Sequence, residues 1–534
     1  MNDFSKTRRT VLRGLALAAA GTCLPAAATA NAASASAVPA TTETYALTLT
    51  HLGRSGSACR DYLSHVIGLS GAAAGTTTTL QPEPEDGSGS VTVRVPRGRY
   101  LLDSTLPAYG TDGETYLGTD WIVQPRLEID RDTTVVLDAR TAAPVDVRPP
   151  EAGAEFVHGG AFVEVTHGGR TALVNVLNLT ATLRVAHIGP AAEPGSVRQW
   201  VDTYWQGATD RYALGWTFTS DRALTGLVRR PAARELATLV VRAAAPGPDG
   251  GYGIVAFQPS AGPADALPLA FRVPGEVTLK VTPERGGYDV LYSAPAPEEV
   301  AANRYEVLGI GFTAGATVTH TFDAPVFGPA LDPAPGARPP GLRSGDSLTL
   351  ALALLADGDG NVPALPPYES ASTTLHRNGA LVGTRQGTPG HAEFTVPPAR
   401  AAYRLTTTAA RPGGRVTASW TFVSAATPRP TELPLSVIRF APVLRTDGTA
   451  PARTVTRVPV TVHGAAARTG VRSLTVSVST DQGATWTRVP VTGGRAAVPT
   501  PAAGGTVSLR AELTDTDGNT LTQTHLGAYR TSAA

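Results

Sequence analysis

Apolar residues in this chain recur at every second position, and helical spacing is almost absent. Leu47 and Leu49 alternate with Thr48 and Thr50, and Val91, Val93 and Val95 with Thr92 and Arg94. Val277, Leu279 and Val281 alternate with Thr278 and Lys280; Leu474, Val476 and Val478 with Thr475 and Ser477; Val507, Leu509, Ala511 and Leu513 with Ser508, Arg510 and Glu512. A strand sends successive side chains to opposite faces, so this pattern gives each strand one apolar and one polar face. Two such sheets must close on each other, which predicts an all-β chain of tandem β-sandwich modules. The one helix candidate is short, Pro231 to Leu239, with proline in its first turn.

Proline-rich breaks divide the chain. With roughly 100–200 residues per domain, a chain of 534 residues has room for three or four modules. The expected organisation is a signal peptide at 1–32, a β-sandwich at 40–147, a larger β domain at 151–325, a β-sandwich at 341–424 and a last β-sandwich at 433–531. The break at Pro144–Pro150, the linker Gly328–Pro340 and the segment Thr427–Pro430 read as stiff spacers holding neighbours apart. No short-period repeat stands out.

The first residues read as an export signal. Lys6, Arg8, Arg9 and Arg13 form a basic region, Leu15 to Ala20 a short apolar run, and Ala28-Thr29-Ala30 and Ala30-Asn31-Ala32 small-x-small cleavage sites. The run is well short of the roughly 20 residues a bilayer needs. Arg8-Arg9 in Thr7 to Arg13 fits a twin-arginine signal, which implies an extracellular protein exported already folded. Ala20-Gly21-Thr22 is a poor lipobox for Cys23, and no later apolar run is long enough to span, so the mature chain is expected without an integral membrane segment and released. Net charge is +1, and the basic residues are Arg apart from Lys6 and Lys280, so no nucleic-acid partner is implied. After cleavage Cys59 is alone, so no internal disulfide can form.

Several motifs are candidates for chemistry. Ser479-Thr480-Asp481-Gln482-Gly483-Ala484-Thr485-Trp486 matches the Asp-box pattern S-x-D-x-G-x-T-W at Ser479, Asp481, Gly483, Thr485 and Trp486. A single copy is a structural hairpin device, with the Asp-x-Gly turn reversing the chain and the Trp buried beneath it. Trp200, Tyr204, Trp205, Tyr212 and Trp216 crowd one segment. Aromatics in a row suit a polysaccharide- or peptide-binding face, and they equally fill cores. Period-2 parity puts Trp200, Tyr204 and Tyr212 on one side and Trp205 on the other, so they are not all expected in one core. Asp357-Gly358-Asp359-Gly360-Asn361 starts like a calcium loop, with Asp357, Asp359 and Asn361 as ligands, but Val362 and Tyr368 stand where an EF-hand needs Gly and Glu. A plain turn is the simpler reading. His158-Gly159-Gly160 and His167-Gly168-Gly169, nine residues apart, read as successive hairpin ends, because no G-x-S-x-G elbow accompanies them.

In the first module Val93-Arg94-Val95-Pro96-Arg97-Gly98-Arg99-Tyr100 resembles the strand–turn–strand of prealbumin-like modules, where a Pro-x-Gly turn precedes an inward aromatic. Together with Tyr45 to Leu52, Val123 to Leu127, Asp132 to Arg140, Val326 to Leu331, Trp420-Thr421-Phe422, Val437 to Pro442, Val471 to Trp486 and Asp515 to Thr520, the chain resembles, nearly end to end, the C-terminal non-catalytic region of large secreted subtilisin-like serine peptidases of GC-rich Gram-positive bacteria. The resemblance implies a prealbumin-like module followed by immunoglobulin/fibronectin-like ones. The catalytic motifs of that family, D-[ST]-G, H-G-T-H and G-T-S-M-A, are all missing: Asp86-Gly87-Ser88 is not the first, and Gly387-Thr388-Pro389 puts proline at the nucleophile's place. No catalytic residue and no cofactor is carried over.

The leading functional expectation is therefore a secreted, non-catalytic accessory or binding protein. Its partner would be an extracellular polymer or protein, including a separate peptidase chain. The alternatives are part of a hydrolase system and a structural cell-surface spacer. Export should depend on the arginine pair. Replacing Arg8 and Arg9 by Lys should leave folded protein inside the cell, scored by fractionation, whereas undiminished secretion would point to the general secretory route.

Overall fold

The computed structural model describes residues 43–82, 87–110, 115–180, 182–244, 251–294, 304–331, 339–364, 366 and 368–533. The signal peptide with Arg8 and Arg9, Asp86 and most of the linker before Pro340 lie outside these residues. The regular structure of the described chain is nearly all strand, arranged as stacked sheets.

The N-terminal half is a four-layer stack. Thr44–Leu52, Ser90–Pro96 and Thr133–Asp138 form a three-stranded outer sheet. A seven-stranded second sheet includes Leu63–Gly68, Gly98–Tyr109, Tyr116–Ile129, Ala143–Val147 and Leu183–His187. The third, also seven-stranded, holds Glu155–His167, Arg170–Asn178, Val197–Gln206, Arg211–Ser220, Ala237–Ala243, Gly275–Val281 and Thr317–Phe322. The fourth is built on Gly251–Pro259, Leu267–Val273, Tyr288–Ser293 and Arg304–Ile310. Alternation along the second sheet sends Leu102 and Ile122 into the core beneath the first sheet, and Leu101, Trp121 and Val123 into the core above the third. The third sheet in turn gives Val201, Trp205 and Leu214 to that second core and Tyr204 and Ala213 to a third core under the fourth sheet. The central strands of the two middle sheets are thus apolar on both faces.

This stacking overrides the expected boundary at Pro144–Pro150. The strand Ala143–Val147 pairs with Leu183–His187, which itself lies parallel to Tyr116–Ile129, so the first module and the start of the second share a sheet. The turn of the first module is as expected: Tyr100 is buried and its hydroxyl donates to the Pro96 carbonyl. The helix expected over Pro231–Leu239 is only a 3-10 turn, Ala233–Glu235, leading into the strand Ala237–Ala243. Ala237, Leu239, Val241 and Ala243 alternate into the core, and pairing on both sides with Gly275–Val281 and Thr317–Phe322 outweighs local helix preference. Of the two His-Gly-Gly segments, only His167-Gly168-Gly169 makes a hairpin end, with both glycines at positive φ. His158-Gly159-Gly160 lies inside the strand Glu155–His167, and its glycines answer to crowding: a Cβ would stand 2.6 Å from the Asp202 carbonyl at Gly159 and 2.4 Å from Asp265 Oδ2 at Gly160.

The C-terminal half is likewise one unit. Gly414–Ser424 of the expected third module pairs along seven positions with Thr520–Ser532 of the fourth. The result is one nine-stranded sheet facing two four-stranded sheets across a single core that runs from Val326 to Tyr529. Thr427–Pro430 is therefore no spacer between separate sandwiches. Trp420, 1% exposed, lies in this core and donates from Nε1 to the Ser436 carbonyl at 2.7 Å, joining the two expected modules. Residues 326–533 should unfold in a single calorimetric transition, and Trp420→Ala should destabilise the whole unit by about 3–5 kcal/mol. Two resolved transitions, of which Trp420→Ala moves one, would contradict a shared core.

Candidate functional site

The five aromatics singled out in the sequence do not form an exposed face. Trp200, Tyr204, Trp205, Tyr212 and Trp216 are all buried. Parity misled because it does not carry across the hairpin: Trp205 pairs with Tyr212 and Tyr204 with Ala213, so Trp205 and Tyr212 share one face while Tyr204 takes the other. Both faces have a core to fill, so both parities are buried. The same sheet buries Asp202, whose carboxylate meets Arg285 at 2.8 and 3.2 Å, and Arg285 also donates to the carbonyls of Ala261 and Pro263.

A Ser–His pair that the sequence did not reveal lies between the first two sheets. Ser64 Oγ is 2.8 Å from His51 Nε2, while His51 Nδ1 is 3.0 Å from the Gly89 carbonyl. His51 and Ser64 have no exposed surface, Tyr62 stacks on the imidazole at 3.6 Å, and burial lowers the His51 pKa to about 4. A neutral imidazole with its Nδ1 proton on Gly89 fits this geometry.

The Asp357 turn commits its own ligands. Asp357 is buried, and its carboxylate accepts from Asn361 N at 2.9 Å and from Asn361 Nδ2, which also donates to the Thr321 carbonyl. Burial raises the Asp357 pKa to about 7, and Asp359 is exposed. The segment Asp515-Thr516-Asp517-Gly518-Asn519 folds into the same turn, with Asn519 N and Nδ2 each 2.8 Å from the Asp515 carboxylate. This second Asp-x-Asp-Gly-Asn copy was visible in the sequence and marks a recurring turn. Among the described residues no group of three or more His, Cys, Asp or Glu side chains is placed to hold a metal ion.

The Asp-box hairpin forms as its pattern requires. Asp481 Oδ1 accepts from Ser479 Oγ at 2.6 Å and from Thr485 N at 2.9 Å, and Ser479 Oγ accepts from Gly483 N at 2.8 Å. Trp486 Nε1 donates to the Gly483 carbonyl at 3.0 Å. The expected burial of Trp486 is not found. The core side of this region is filled by Val476, Val478, Leu509 and Ala511, whereas Arg510 and Ser477 point to the other side. Trp486 is half-buried on that outer side, with the Arg510 guanidinium 4.0 Å over its ring.

Trp486 and Arg510 end a row of hydroxyl side chains that crosses the nine-stranded sheet. Ser372 faces Thr408, Thr408 faces Thr417, Thr417 faces Thr524, Thr524 faces Arg510 and Arg510 faces Ser477. One pleat along, Thr384, Thr374, Thr406, Ser419 and Thr522 make a second row. Neighbours are hydrogen-bonded: Thr374 to Thr384 at 3.1 Å, Thr406 to Ser419 at 2.7 Å and Thr408 to Thr417 at 3.1 Å. With strands about 4.8 Å apart and side chains repeating at about 6.8 Å along each, this is a regular lattice of uncharged donors and acceptors. The sequence signal is the doublet of hydroxyl residues separated by one position, at 372/374, 406/408, 417/419 and 522/524. Only the pairing of these four strands shows that the doublets adjoin.

No family model and no curated protein matches the chain. Among solved structures it is similar to the Bacillus anthracis TIE protein, at 10% identity over 68% of this chain and 69% of that one with a TM-score of 0.13. A leucine-rich repeat protein from Bacteroides thetaiotaomicron VPI-5482 aligns at 11% identity over 35% and 26% of the two chains, TM-score 0.13. BcpA, the major pilin subunit of Bacillus cereus, aligns at 9% identity over 52% and 99%, TM-score 0.11. At these scores the alignments carry no argument about this chain.

The half-buried position of Trp486 sets its energetic weight. Trp486→Ala should cost less than the roughly 3 kcal/mol at which fully buried Trp truncations begin. The hydrogen bonds from Ser479 and Thr485 hold the Asp481 pKa below the ordinary carboxylate value. Its contribution to stability is therefore present above the unfolded value of about 3.9 and is lost as pH falls through the lower folded one. The melting-temperature gap between wild type and Asp481→Asn should be largest near neutrality and close on acidification. A gap independent of pH would show that the carboxylate charge is irrelevant to the turn.

Proposed function

We propose that this chain is an exported, non-catalytic binding protein that holds an uncharged polysaccharide across the outer face of its nine-stranded sheet. The observation that carries the reading is the double row of Ser and Thr hydroxyls ending at Trp486 and Arg510. A polyol chain meets such a face with matched hydrogen bonds, each worth about 0.5–1.5 kcal/mol net, so many weak contacts sum along an extended ligand. An indole edge beside the row offers a sugar ring an apolar surface. The resemblance to regions trailing secreted subtilisin-like peptidases supports an accessory role, with a separate peptidase chain as partner, and the Arg8-Arg9 signal supports export. No helix of the described residues is long and apolar enough to cross a membrane.

The test is retention on insoluble chitin, cellulose and granular starch. At least one should bind the protein with little dependence on salt, since the row is nearly uncharged. Thr408→Lys with Thr522→Lys, one in each row and not paired with each other, should lower retention at least tenfold, and Trp486→Ala severalfold, while the lysine pair keeps a cooperative melting transition. Failure of all three polymers to retain the wild type, or equal retention of the lysine pair, would sink the polysaccharide reading. Covalent labelling of this chain by a serine-directed fluorophosphonate would overturn the non-catalytic one.

A further inference from the structure

The strand Arg170–Asn178 is the rim of the third sheet, and among the described residues no strand pairs with its outer side. It is nine residues long and pairs with Glu155–His167 through nine consecutive positions without a bulge, so its free edge is a straight row of backbone donors and acceptors. From Thr171 to Asn178 it has no charge and no proline. Ala172, Val174 and Val176 fill the core on one face. On the other, Leu173, Leu177 and the adjoining Leu179 stay 45%, 47% and 69% exposed. Soluble proteins guard sheet rims with charges, prolines, bulges or short strands. Other long rims here follow that rule: Leu267–Val273 carries Pro268 and Arg272, Ser90–Pro96 carries Arg94 and Pro96, and Ala380–Gln386 meets its neighbour through a register shift. Beyond Arg170 at its start, this strand has none of these guards.

We infer that this rim pairs antiparallel with the same strand of a second copy of the chain, centred on Asn175. The occupant follows from the sequence of the strand itself. About Asn175 it is self-complementary: Leu173 falls opposite Leu177 of the other copy, Val174 opposite Val176, and Asn175 opposite Asn175, where two amides can hydrogen-bond to each other. No like charges meet, and Arg170 falls outside the paired stretch opposite Thr180. A two-fold axis through that pair is an isologous contact, closes after two chains and joins two seven-stranded sheets into one. Both exposed leucine stripes come to the same side of the joined sheet and cover each other. This inference does not depend on the polysaccharide reading, since the hydroxyl face lies on a different sheet.

Sedimentation of the full chain should give twice the chain mass. Leu173→Glu with Leu177→Glu, which would place four carboxylates together across the contact, should give single chains with an unchanged melting temperature. Mixing that variant with Leu173→Lys, Leu177→Lys should restore the dimer. In a Cys23→Ser, Cys59→Ser background, Asn175→Cys should oxidise to a covalent dimer. Thr171→Cys should not, because copies of position 171 stand about 26 Å apart in this register. Wild type that stays monomeric at about 100 µM, a dimer that survives the Glu pair, or equal cross-linking at 171 and 175 would overturn the proposal.

Discussion

Burial of the central strands of the two middle sheets on both faces is the constraint from which the N-terminal half follows. A wet face, as where Arg242 meets Glu276 in solvent at the far side of the third sheet, can carry charges freely, and these doubly covered strands cannot. Their polar side chains are accordingly paired. Asp202 meets Arg285, Asp120 meets Arg184 at 2.7 Å and Arg54 at 3.0 Å, and Asp103 accepts from Trp121 Nε1 at 2.9 Å and lies 3.0 Å from His65. A lone buried carboxylate would be strongly destabilising, so each of these partners is needed where it stands. Arg285 also holds the Ala261 and Pro263 carbonyls, which fixes the loop that covers Trp200 and Tyr204 and so joins the fourth sheet to the third. Arg99 does the same between the second and third sheets, where it meets Glu128 and Glu193.

The two halves meet at the stretch Asp323–Pro329, and polar side chains hold its backbone. His525 Nδ1 lies 2.8 Å from the Phe327 carbonyl, Arg439 donates to Gly328, and Gly358 N donates to Ala324 at 2.6 Å. The Arg411 guanidinium lies 3.6 Å over the Phe327 ring. Burial lowers the His525 pKa to about 4, so its ring stays neutral and able to donate through Nδ1 and accept from Gln523 through Nε2. The junction is thus fixed by specific hydrogen bonds.

Much of this was legible in the sequence. The alternation in Leu47–Leu49, Val277–Val281 and Val507–Leu513 identified strands and their inward residues, because a single buried face imposes a period of two. The Asp-box and Pro-x-Gly turns were readable because their hydrogen bonds close within a few residues. The short apolar run at Ala237–Ala243 was not, since four alternating residues after a proline fit a helix start as well as a strand until the pairing on both sides is known.

What the sequence by itself determined is local: strand identity, turn type, the Asp481 and Asp357 turns and the hydroxyl doublets. Tertiary structure decided which strands adjoin, and so everything that depends on neighbours. It merged modules across Pro144–Pro150 and Thr427–Pro430, because sheet pairing ignores the chemistry of the intervening loop. It buried Trp200, Tyr204, Trp205, Tyr212 and Trp216 on two faces, because parity tells one face from the other but not whether a face is covered. It put Trp486 outside, because a hairpin fixes its own turn but not the side of the sheet onto which it folds.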